Sequence, residues 1–173
     1  MTIDLEALSA LHPDLPGEVA GMMAFGAAVA LERRHEPSVL MALALAGRSI
    51  EEVLVWRKRG AAAADKIDEK RATEDGAEAV ALGIVGHHRP QWRLVRRLQS
   101  RRRERADWLF AGSDGAFVVL EISGTDAAAI GPRESEKRAQ AASSTVARRA
   151  AACVVRFLEP RASLWEAEPD EPC

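Results

Sequence analysis

The order of apolar segments along this chain predicts an α/β (α+β) domain, a central mixed sheet flanked by helices. Three observations predict it. Residues 61–85 have strongly helical composition, with Ile67, Val80, Leu82 and Val85 as core positions. Three short strand-like segments follow at 92–98, 106–111 and 116–123, the last two separated by the turn sequence Gly112-Ser113-Asp114-Gly115. Then come a charged helical stretch at 133–149 and an apolar strand at 152–158, with a further edge strand expected at 162–167.

The N-terminal part reads less uniquely. Val19, Met22, Met23, Phe25, Val29 and Leu31 recur near helical spacing between Pro16 and Arg34, and Pro37 stops the pattern, which predicts an amphipathic helix. Residues 39–45 and 53–56 flank the turn-like Gly47-Arg48-Ser49 and suit either a hairpin or two short helices. Length and the absence of a low-complexity linker favour a single domain over 1–173. Residues 1–60 would then be a helical or helix-plus-hairpin extension packed on a core at 61–167, and 168–173 an acidic tail.

Composition narrows the function classes. With 47% hydrophobic and 29% charged residues, the chain has the balance of a globular protein. The start, Met1-Thr2-Ile3-Asp4-Leu5-Glu6, has acids and no basic region before an apolar run, so a cytoplasmic protein is expected rather than a secreted one. The apolar run from Met22 to Leu31 ends well short of the roughly eighteen residues that suggest a membrane span. Cys153 and Cys173 make neither a disulfide framework nor a zinc spacing, and His87-His88 has no matching ligands nearby in sequence.

Charge is unevenly distributed although the net value is only −2. Between Arg89 and Arg105 eight arginines face a single acid, Glu104, so a local basic surface is expected. Arg93, Arg96, Arg97, Arg101, Arg102 and Arg103 are its candidate nucleic-acid contacts, with Arg133 on the later helix. The Arg101-Arg102-Arg103 run reads equally as a solvated hairpin tip or a phosphate-binding edge.

The chemistry is expected on the strand at 116–123. Alternation puts Phe117, Val119, Glu121 and Ser123 on one face and Val118, Leu120 and Ile122 on the other, so Glu121 ends a buried strand. A carboxylate there is costly unless it is paired, hydrogen-bonded or metal-bound. Asp107, in the preceding strand segment, comes close across the turn. Two such carboxylates suit Mg²⁺ or Mn²⁺, which would activate water toward a phosphodiester. The plainer alternatives are that Asp107 closes a turn or pairs with an arginine of the basic cluster, that Lys137 lies on a solvated helix face, and that Trp92 and Trp108 are core residues rather than platforms for bases.

An acid-bearing helix, an acid in one strand, a second acid in the next and then a helix resemble the PD-(D/E)XK (restriction endonuclease-like) nuclease superfamily, which includes restriction endonucleases and many repair and phage-defence nucleases. The resemblance covers about half of the chain, from residue 61 to Leu158. It implies a Mg²⁺-dependent nuclease acting on DNA, with Asp107 and Glu121 as catalytic metal ligands and Glu74 or Glu78 as a supporting carboxylate. Two departures stand out. Ser123 occupies the position of the family's lysine, and Ala106 rather than proline precedes Asp107. Arg133, Lys137 and Gln140 share a helix face, and Lys137 with Gln140 is the substitute that the resemblance implies. The alternative is a catalytically inactive nuclease-like subunit that binds nucleic acid or a protein partner. A homodimer, or a partner docked on the N-terminal segment, is the expected assembly.

Overall fold

The computed structural model describes residues 1–98, 106–126 and 130–167. Eight strands form one sheet in the order β1-β3-β2-β8-β7-β6-β5-β4: β1 (Thr2–Asp4), β2 (Ser38–Leu45), β3 (Arg48–Val55), β4 (Arg93–Arg97), β5 (Trp108–Ala111), β6 (Phe117–Thr125), β7 (Arg149–Arg156) and β8 (Arg161–Glu166). The helices are α1 (Leu8–Leu11), α2 (Gly17–Glu32), α3 (Ala61–Ala64), α4 (Glu69–His88) and α5 (Gly131–Ala142). Pairing is mixed, with β1–β3, β2–β8 and β6–β7 parallel and the other neighbours antiparallel. Among the described residues no helix is long and apolar enough to cross a membrane.

One open choice is decided and several elements differ from expectation, for identifiable reasons. Residues 38–55 form a hairpin, because Ala46 and Gly47 both take positive φ (49° and 74°) and make the two-residue connection that suits the strand twist. The long helix at 61–85 is broken instead: Asp68 caps a new start by accepting from the Arg71 N–H at 3.2 Å, and α4 then runs on through Gly86 to His88, just before Pro90. Helix α5 ends at Ala142, short of the expected 149, and Arg149 already belongs to β7. Strand β8 is interior rather than an edge: it pairs with β7 on one side and β2 on the other, so residues 1–60 supply strands to the same sheet.

The sheet has two unlike faces. Val118, Leu120 and Ile122 of β6 join Ala77, Val80, Leu82 and Ile84 of α4 in the main core, where α2 also packs. On the other face Val119 meets Leu109, Ala150, Ala152 and Ala141 of α5 in a smaller cluster. The alternation read along β6 is therefore the observed one, and Glu121 faces the α5 side.

Helix α4 approaches β6 so closely that a Cβ at Gly124 would stand 2.4 Å from the Thr73 carbonyl oxygen. That contact holds the acid-bearing part of α4 beside the end of β6. A Gly124→Ala variant is expected to lose about 1–3 kcal/mol through overpacking. Gly131→Ala, with nothing within 4 Å and no positive φ, should be neutral or slightly stabilising. Urea denaturation of the two variants checks the contrast; equal midpoints would show that α4 can retreat from the strand at no cost.

Candidate functional site

One cleft gathers six of the expected site residues. It opens at the end of the sheet where β6 runs out, between the first half of α4 and the start of α5, and has a volume of about 670 Å³. Glu74 and Glu78 come from α4, Arg97 from the end of β4, Asp107 from the bend before β5, Ser123 from β6, and Arg133 and Lys137 from α5. Lys70, Thr73, Gly124 and Asp126 complete the wall with Ile122.

Asp107 precedes β5 rather than lying within it, but the ladder still brings it to β6. Its backbone N–H donates to the Leu120 carbonyl at 3.0 Å, and its Oδ2 accepts from the Ile122 N–H at 2.7 Å. Of the arginines that could pair with it, Arg97 bonds to Glu78, and Arg101, Arg102, Arg103 and Arg105 lie outside the described residues. Glu121 lies just behind the cleft wall, 2% exposed. Its Oε1 accepts from the Lys137 Nζ at 2.5 Å, while Oε2 is enclosed and has no hydrogen-bond partner. The same Lys137 Nζ donates to the Gln140 side-chain carbonyl at 3.1 Å, which fixes the ammonium between the two.

Burial governs the electrostatics. It pushes Glu121 up to about 7, with the neighbouring Asp107 carboxylate adding to the rise and Lys137 opposing it. Asp107 is also raised by burial, against the Ile122 N–H and the cations Lys137 and Arg97. Glu78 reaches about 7, again mainly through burial, with Arg97 and the Trp108 indole acting to lower it.

Glu78, expected as a supporting metal ligand, is already engaged. Its Oε2 accepts from Trp108 Nε1 at 3.0 Å and its Oε1 pairs with Arg97. Trp108 is thereby a core residue with a satisfied indole, and Trp92 is buried as well. Glu74, one turn earlier, is about half-exposed and pairs only loosely with Lys70 at 3.8 Å. Arg93 and Arg96 lie on β4 but do not line the cleft, whereas Arg97 and Arg133 do. Arg101, Arg102 and Arg103 lie outside the described residues. Sequence reading missed Lys70, Thr73 and Asp126; only their proximity on α4 and after β6 to the expected acids could have signalled them.

The fit to a divalent cation is specific in kind. Two mutually repelling carboxyls with raised pKa, one carrying an unpartnered buried oxygen, are what a bound cation would relieve. Among the described residues no group of three or more His, Cys, Asp or Glu is arranged to hold a metal ion. Asp107 and Glu121 are the carboxyls that could hold a divalent ion, which would have to complete its shell with water or phosphate oxygens. No protein-family model, curated protein or solved structure matches this chain.

The raised carboxyls have a consequence for stability. Between about pH 4.5, the ordinary value of a glutamate, and about 7, native Glu78 and Glu121 hold protons that the unfolded chain has released. Their contribution to stability therefore falls as pH rises through that window and is flat above it. His12 acts in the opposite sense: burial lowers it below 6.5, so the native state loses stability as pH falls through that value. Urea denaturation from about pH 5 to about pH 8, wild type against Glu78→Gln/Glu121→Gln, cancels the histidine. Wild type should lose stability relative to the variant as pH rises; parallel curves would mean that these carboxyls titrate normally.

Proposed function

We propose that the protein is a metal-dependent nuclease that hydrolyses phosphodiester bonds of DNA, with Asp107 and Glu121 holding Mg²⁺ or Mn²⁺ and Lys137 as the catalytic cation. The single observation that carries this reading is the Lys137 Nζ contact to Glu121 Oε1 at 2.5 Å. The family pattern has its lysine two residues beyond this glutamate, where the chain has Ser123; an ammonium from α5 reaches the same carboxylate. Support also comes from element order. From α4 to β7 the chain runs helix, three antiparallel strands, helix, and a strand parallel to the third, the arrangement that the resemblance implies.

The roles follow from position. A divalent ion bound by the two carboxylates supplies Lewis acidity and a more acidic water. Lys137, held by Gln140, presents positive charge beside the carboxylates, where a phosphodiester under attack gains negative charge. Arg97, Arg133 and Lys70 on the walls suit backbone phosphates and would position the strand without reading its sequence.

Ser123 favours a second reading, an inactive nuclease-like subunit that binds nucleic acid or a protein partner. The two separate in one experiment: cleavage of single- and double-stranded DNA and RNA with Mg²⁺ or Mn²⁺, beside Asp107→Ala, Glu121→Ala and Lys137→Ala. The nuclease predicts DNA cleavage that falls by about 10²–10³ in each variant, the size of effect seen when one transition-state contact is removed, with thermal unfolding still cooperative. Wild type that binds DNA equally well in chelator and cuts nothing is the subunit.

A further inference from the structure

We infer that Glu78 is a positioning residue for Arg97, and that Arg97 is the phosphate-binding cation of the cleft's β4 wall. The inference rests on the nuclease reading above and changes the role of one of its acids. Each Glu78 oxygen is already engaged: one accepts from the Trp108 indole and the other from Arg97. It is 7% exposed, so neither bond is readily exchanged for water.

Arg97 is held from three directions. Its guanidinium lies over the Trp108 ring at 5.7 Å from the centroid, where a cation is attracted by the ring face. Glu78 anchors its Nη2. The β4–β5 register shifts between Leu94 and Arg96, an irregularity of the type that re-aims the side chains that follow it. Trp108 itself is fixed, because it is 3% exposed and pairs with Leu120 of β6. The guanidinium is nevertheless half-exposed and lines the cleft. A planar fork with one edge tied down and the rest facing the cleft is suited to a phosphate, which accepts from several donors at once. Without Glu78 the long side chain would sample many rotamers, and ordering it would fall to the substrate.

The experiment measures binding of a 20-base-pair DNA duplex in chelator, with its salt dependence, and binding of Mn²⁺ alone, for wild type, Arg97→Ala, Glu78→Ala, Glu78→Gln and Glu78→Ala/Arg97→Ala. Arg97→Ala and Glu78→Ala should each weaken duplex binding about fivefold to tenfold and flatten the salt slope by about one. The double variant should lose no more than either alone, as residues acting as one unit do. Glu78→Gln keeps the acceptor for Trp108 and should fall between; it also carries the test if Glu78→Ala does not fold. Mn²⁺ affinity should stay within about twofold in all of them. A large loss of Mn²⁺ affinity in Glu78→Gln, or losses in duplex binding that add, would overturn the inference while leaving the nuclease reading intact. Wild type that binds no duplex, either in chelator or with Mn²⁺ present, would overturn that reading itself.

Discussion

Everything at the end of the sheet depends on one constraint, the presence of a carboxylate on the buried strand β6. Glu121 stands among Val119, Leu120 and Ile122, where water cannot solvate it. A lone anion in such surroundings would be neutralised or would destabilise the fold. The chain answers with α5, which is polar along most of its length, buries Ala141 against the sheet and lays Arg138 over Trp165 of β8. Its packing is too slight for apolar burial alone to hold it, so the Lys137–Glu121 pair, with Gln140 attached, serves as a polar anchor between helix and strand. The pair is incomplete: one Glu121 oxygen is without a partner.

How much of this was legible in the sequence follows from how local each feature is. The alternation along β6 is a period-2 pattern, so the face of Glu121 could be read directly, and the shared face of Lys137 and Gln140 on α5 follows from helical spacing in the same way. The choice between a hairpin and helices at 38–55 was hidden because Ala46, with no special turn chemistry, adopts positive φ beside Gly47. The place of β8 was hidden too. Its pairing with β2 joins residues about 120 apart, and nothing in Arg161–Glu166 marks a strand as interior rather than edge. Glu78 was visible as an acid of the right helix, but its partners arrive from β4 and β5 through tertiary packing, so a bound and a free carboxylate look the same in sequence.

Charge in the cleft brings these features together. Glu74, Glu78, Asp107, Asp126 and Glu121 stand in or just behind its walls, against Lys70, Arg97, Arg133 and Lys137. Among the described residues, with all of these ionised, the acids exceed the cations by one. Two routes reverse that sign. Protonation of both Glu78 and Glu121 would do so toward the acid side of neutrality, since both lie near 7; a divalent cation held by Asp107 and Glu121 would do so at higher pH, where those carboxyls are already ionised. On the nuclease reading, a metal ion would serve the chemistry and also add to the attraction that the cleft has for phosphate. The arginines then have separate tasks. Arg97, tied to Glu78 and laid over Trp108, presents its charge in a fixed place, while Arg133, whose local partner Glu136 is exposed, contributes charge that salt readily screens.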